Sequence, residues 1–261
     1  MENRRVLNKT RIVNGAMDCL HAVYVLLLLS VCVVVAALPL IVASTVSMVS
    51  SIPMPVAMLL WTLGAAASVP GVAAAFAVCN DHPMLHARHD DRNESSESAD
   101  SPDWIASPYV HEGEDRAVFR PFMRAYARIW KRALAIGAAF AGIAMIGVWN
   151  LQLLAQLNFG ALLMPVICVV LAVSVPAMCV AIELVVRYPK ARFLAVLRNG
   201  FVLGVRGWPL SVLTAIAIGA YVVALLRFPV PAVVLGTGLL AFVCAANARW
   251  QINPLDEALR A

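Results

Sequence analysis

Polar and apolar residues along this chain fall into long blocks, with neither helical nor strand alternation inside them. Six apolar stretches, at about 20–45, 56–78, 133–154, 160–186, 208–226 and 230–248, are separated by polar or basic connections. At about 1.5 Å per residue, each can cross roughly 30 Å of hydrocarbon. The pattern predicts an all-α polytopic membrane bundle of about six transmembrane helices. Pro39, Pro70, Pro165 and Pro176 lie inside these spans. Each removes a backbone donor and predicts a kink, with neighbouring helices covering the freed carbonyl.

One stretch outside the spans has a regular pattern. Phe119, Phe122, Met123, Tyr126, Ile129, Trp130 and Ala133 recur at steps of three and four, with Arg120, Arg124, Arg128, Lys131 and Arg132 on the remaining face. That spacing predicts an amphipathic helix over 117–132, lying in the headgroup plane as an anchoring elbow before span three or docking a partner protein. Its apolar face and flanking spans speak against nucleic acid as the partner. A weaker echo, Lys190, Arg192, Phe193, Val196, Leu197, Arg198, Phe201 and Arg206, precedes span five, and 11–21 before span one resembles a degenerate third copy.

Charge sets the expected orientation. Nineteen of the twenty Lys and Arg residues fall on one side of the six-span layout, and Arg227 alone falls on the other. The positive-inside rule places the basic side in the cytoplasm, with both termini, and the spans in the cell membrane. Anionic inner-leaflet headgroups are the natural partners of that basic face. The connections on the opposite side, 46–55, 155–159 and 227–229, are too short to form an extracellular domain. The apolar run at 21–43 exceeds the roughly 7–15 residues of a signal-peptide core, so it reads as a retained span.

The chain divides accordingly into a cytoplasmic segment (1–19), a transmembrane hairpin (20–79), an acidic loop (80–116), the amphipathic helix (117–132), a four-helix region (133–248) and a cytoplasmic tail (249–261). The loop carries ten acids against three arginines, and its middle, 90–103, is rich in Ser, Asp and Glu. Such a segment buries too little apolar surface to offset its ordering entropy and predicts disorder. Overall, 62% of residues are hydrophobic and 13% charged, with a mean hydropathy of +0.82. A soluble fold is excluded by that balance, since soluble domains are roughly one-quarter charged.

Candidate chemistry is sparse. The six cysteines lie within or at the rim of apolar runs and form no C-x-x-C, so they read as small apolar side chains. His82, His86 and His89 sit in a loop with no rigid second shell to support a metal. Glu183, near the inner end of span four, is four residues from Arg187, a favourable spacing for an intramembrane ion pair. Asp18 and His21 flank span one at headgroup depth. Asn150, Gln152, Gln156 and Asn158 cluster at the opposite rim, and Gly64, Gly137, Gly142 and Gly147 allow close helix approach. No Walker sequence, nucleophile elbow or H-E-x-x-H is present. No enzyme and no cofactor are expected.

Leu59-Leu60-Trp61, followed by Pro70-Gly71-Val72-Ala73-Ala74-Ala75-Phe76-Ala77-Val78 and then by Phe119-Arg120-Pro121-Phe122 through Arg124 and Tyr126 to Trp130, resembles the YesL-like family of bacterial membrane proteins. That family pairs a Leu-Trp-rich span ending in a Pro-x-x-Ala-Ala-like turn with a Phe-containing amphipathic elbow. The resemblance covers about 56 to the C-terminus. An additional span before it and the acidic loop are departures from the family pattern. The family has no established activity and occurs in the context of carbohydrate uptake and polysaccharide use. The resemblance therefore implies a non-enzymatic accessory or regulatory role in sugar import, with membrane transporter subunits as partners, and transfers no catalytic residues. The alternative is a small-solute permease acting on its own, which needs a polar path involving Glu183.

Overall fold

The computed structural model describes residues 2–50, 52–82, 85, 106–111, 117–157 and 160–260, and the side chains of all of these except 2–16, 18 and 256–260. Among them are eight helices: α1 (Glu2–Ala36), α2 (Leu38–Val49), α3 (Met54–Asp81), α4 (Phe119–Leu154), α5 (Gly160–Arg187), α6 (Phe193–Arg206), α7 (Trp208–Arg227) and α8 (Thr237–Arg260). Six helical stretches are long and apolar enough to cross a membrane, and no strand occurs among the described residues. Large apolar side chains such as Leu162, Val166, Val169, Ile216 and Val223 lie exposed on the bundle exterior. Water would penalise that surface and a bilayer would not. The chain is an all-α, multi-pass membrane protein.

The centre is α3. Its consecutive run Ala73–Cys79 is buried on every side, which only a helix ringed by others can achieve. Its neighbours are α1, α2, α4, α5 and α8, and its most extensive contact is with α4. Small residues make this possible. A Cβ on Gly71 would overlap Ala36 of α1, and one on Gly137 of α4 would fall 2.8 Å from Val69. Close backbone approach of this kind is how helices associate where burial from water gives no drive.

Proline acts as the hydropathy pattern predicts in span one, where a turn at Ala37 separates α1 from α2 and Pro39 sits in the first turn of α2. Pro70, Pro165 and Pro176 lie within continuous helices. Before α8, a single turn (Pro229–Pro231) leads into a π-helical stretch (Ala232–Gly236). Just beyond it, Gly238 N donates to Ser30 Oγ of α1 at 2.8 Å, while Ser30 Oγ donates to Leu26 O at 3.0 Å. A buried hydroxyl thus ties α1 to α8 within the apolar region.

Two differences from the sequence expectations concern the amphipathic segments. The helix expected over 117–132 and the span expected from 133 are one uninterrupted helix, α4, of 36 residues. No proline follows Pro121 and no glycine precedes Gly137 within it, so nothing interrupts its hydrogen-bond ladder. At about 1.5 Å per residue α4 measures roughly 54 Å, so some 20 Å extends beyond a 30 Å hydrocarbon layer. The fainter echo is the one that makes a separate elbow. α6 ends at Gly207, and Pro209 in the first turn of α7 restarts the chain in a new direction. α6 seats Gly200 and Gly204 on Ala181 and Ala177 of α5.

Candidate functional site

Polar side chains converge where α3, α5 and α8 reach the arginine-rich end of the bundle. α3 closes with Cys79, Asn80 and Asp81, and His82 leaves the helix in an extended conformation. Asn80 Nδ2 donates to Glu183 Oε1 of α5 at 2.6 Å. Glu183 is only 1% exposed, and its second oxygen, Oε2, has no hydrogen-bond partner. Arg187 and Arg249 act on Glu183 electrostatically from nearby, and all three residues line a cavity of about 140 Å³ together with Asn80, Asp81 and Tyr109. Arg187, four residues on, thus acts on Glu183 electrostatically, and Asn80 gives it a hydrogen bond from another helix.

A short strap, residues 106–111, forms the remaining wall. Ala106 N donates to Arg187 O at 3.0 Å and Tyr109 Oη to Val186 O at 3.1 Å. Both acceptors belong to the last turn of α5, where carbonyls lack partners within the helix. Tyr109 N donates to Asp81 Oδ2 at 2.6 Å, and the ring, 2% exposed, packs under the Arg128 guanidinium at 5.3 Å. Burial is the main cause that pushes the Tyr109 phenol up to about 12, aided by Asp81 and Glu183 and opposed by Arg128.

This corrects the reading of 80–116 as a disordered loop. Residues 106–111 are docked on the bundle, because Tyr109 and Val110 supply the apolar surface that the acidic middle lacks. Its first residues, Asn80 and Asp81, also close α3, while His86, His89 and 90–103 lie outside the described residues, as do Asn158 and the side chain of Asp18.

The α4 arginines hold the strap and its neighbour. Arg124 Nη1 donates to Tyr109 O at 2.8 Å and lies 2.7 Å from His111 Nδ1. Arg128 Nη1 donates to Ser107 Oγ at 2.8 Å. Arg132 Nη1 donates to Ala191 O at 3.1 Å, in the connection between α5 and α6. Spaced four apart, these three guanidiniums form a ladder up one face of α4. The aromatics of the same segment divide. Phe122 is buried, stacked on half-buried Tyr126 at 6.5 Å. Phe119 and Trp130 are exposed, with Met123 between them. Thus Phe122, Ile129 and Ala133 face the protein interior rather than lipid, since their stripe runs on through Ile136 and Phe140 against α3 and α6.

Sequence reasoning missed Asn80, Asp81, Tyr109 and Arg249. The available signal was a polar pair directly after a fully apolar span, and an apolar Tyr-Val pair inside an acidic loop. Fold and site together define a polytopic helical membrane protein with a strapped polar cleft at one end. No protein-family model, curated protein or solved structure matches the chain.

Proposed function

We propose that the protein is a non-enzymatic accessory or regulatory component of a carbohydrate-uptake system, resident in the cell membrane with its basic end and both termini in the cytoplasm. The observation that supports this reading most is the projecting end of α4. There the arginine ladder fixes two loops in place, and Phe119, Met123 and Trp130 remain as an exposed apolar edge beside Arg120 and Lys131. An ordered mixed face of this kind suits docking to transporter subunits, with the anionic inner leaflet around it. The carbohydrate context rests on the YesL-like resemblance alone. Photo-crosslinking from position 119 or 130 in native membranes, followed by identification of the adduct, tests the proposal. A transporter subunit captured at both positions, and lost from position 130 in Phe119→Glu, supports it, whereas adducts to lipid only count against it.

The alternative, a small-solute permease, draws on the bare Glu183 Oε2. Buried polar groups deeper in the spans do not extend that site, since they are bonded to helix carbonyls or to one another. Ser174 donates to Leu171 O, Thr214 to Leu210 O, and Asn247 to Thr214 Oγ1. Solute flux into proteoliposomes that disappears in Glu183→Gln would establish the permease over the accessory role.

A further inference from the structure

A second cavity at the basic end, about 490 Å³, lies between the α6–α7 turn and the C-terminal half of α8. Leu203, Leu210, Pro254 and Leu255 form its apolar walls, and Arg206 and Gln251 its polar ones. Arg206 is exposed and makes no hydrogen bond or ion pair among the described residues. The first turn of α7 opens on the same space through Gly207 and Leu210. Gly207 occupies the cap position and has no side chain to cover the N–H groups that a helix start leaves bare. Gly207 N donates to Leu203 O and Ser211 N to Gly207 O. Pro209 has no N–H, and those of Trp208 and Leu210 have no partner among the described residues. The bare start of a 20-residue helix carries partial positive charge and suits an anion.

Gln251 points to a ligand independently. It is 6% exposed, yet neither end of its amide is hydrogen-bonded among the described residues. Its Oε1 is buried against Gly207, where a Cβ would come within 3.1 Å of it. Nε2 is the end left to the cavity, a donor whose desolvation stands uncompensated until something accepts from it. Guanidinium, helix N–H groups and amide are all donors, and no carboxylate lines the cavity among the described residues. The matching ligand is an anion that only accepts, and an oxyanion fits the planar Arg fork. The apolar walls call for an amphiphile. Trp250, 70% exposed, also lines the opening, as indoles do where a bilayer meets water.

We propose that this cavity binds the phosphate of an anionic membrane lipid, held by Arg206, the first turn of α7 and Gln251. At about 30 Å³ per water-sized group, it has room for on the order of fifteen heavy atoms, the size of a phosphate with a glycerol on either side. α6 ends and the span α7 begins at this point, so the site is at headgroup depth. Exposed Val202, Val205, Val212 and Leu213 flank it in sequence and offer apolar surface to the acyl chains. The site goes beyond the accessory role proposed above and stands apart from the exposed edge of α4, so its test is independent of partner docking.

Native mass spectrometry of the full chain, released from dodecyl maltoside micelles, tests it by titration with phosphatidylglycerol and with phosphatidylcholine. The first phosphatidylglycerol should bind more tightly than phosphatidylcholine, and about tenfold more weakly in Arg206→Gln, the scale of one charge-assisted hydrogen bond. Gln251→Leu, which removes the amide and leaves Arg206 in place, is the second variant and should also weaken that first binding. Arg192→Gln removes an equal charge from the same end, roughly 21 Å away along α6, and should leave it unchanged. Equal affinity for the two lipids overturns the proposal, as does an equal loss in Arg192→Gln and Arg206→Gln, or no loss in either site variant. Glycerol 3-phosphate that binds as tightly as the lipid, with the same dependence on Arg206, would make the ligand a free phosphate and overturn the lipid assignment.

Discussion

Asn80 of α3 and Glu183 of α5 are joined by a 2.6 Å hydrogen bond across 103 residues of sequence. The bond links the central helix to its neighbour at the level where the apolar interior gives way to charge. Asn80 donates to a carboxyl group that is 1% exposed. Replacing it removes a donor from a buried acceptor. Asn80→Ala is therefore expected to destabilise the protein by about 1.5–3 kcal/mol, the range for hydrogen bonds to charged groups. Thermal unfolding of wild type and variant in one detergent measures this, and an unaltered melting temperature would show that the bond contributes nothing.

Packing against α3 offers a sharper comparison between glycines. A Cβ on Gly71 would overlap Ala36 of α1, whereas one on Gly142 of α4 meets nothing within 4 Å. Gly71→Ala should cost about 1–3 kcal/mol through overpacking, and Gly142→Ala should be neutral or slightly stabilising, since alanine is the better helix former. Equal melting temperatures for the two variants would contradict the close approach of α1 to α3.

That contrast also indicates what could be read from the sequence. Spans are set by length and hydropathy, properties of contiguous residues, so their number and the break near Pro39 were legible. Which glycine touches a neighbour depends on helix rotation, and Gly71 and Gly142 look alike in a row of small residues. The amphipathic segment shows the same limit. Its period was plain, yet period alone cannot say whether Phe122 faces lipid or protein, and α3 takes that face. The cleft was legible only at Glu183 and Arg187. Asn80, Tyr109 and Arg249 join it from three distant parts of the chain, through hydrogen bonds and wall contacts that no local spacing encodes.

Docking of the strap should depend on pH through Tyr109. Its phenol is pushed up from an ordinary 10.0 to about 12, chiefly by burial. A docked-state value above the free one means the neutral phenol supports docking fully below pH 10.0 and withdraws that support as pH climbs through about 12. Tyrosinate absorbance should show a late-titrating component that is lost in Tyr109→Phe. That variant also loses the bond to Val186 O, worth about 1 kcal/mol, and should make the strap more susceptible to limited proteolysis near Tyr109. A proteolysis pattern identical to wild type would place the strap's anchorage elsewhere.

The proposed orientation in the membrane rests on the basic end. Arg124, Arg128, Arg132, Arg187 and Arg249 all gather there, bound to the strap, the α5–α6 connection or the cleft, while Arg227 closes α7 at the opposite end. Moving so many guanidiniums across a bilayer during insertion would cost more than about 10 kcal/mol in total, even on the lenient scale of about 2.5–3.5 kcal/mol for one central arginine. Retention on the side of synthesis is the expected outcome. Single cysteines placed in a cysteine-free background at Glu94, Met48 and Phe228 separate the two layouts. A membrane-impermeant maleimide added to intact cells should label positions 48 and 228, and should reach position 94 only after the membrane is opened. Labelling of position 94 from outside would invert the bundle, place the strapped polar cleft on the exterior, and remove the proposed cytoplasmic transporter subunits as partners of α4.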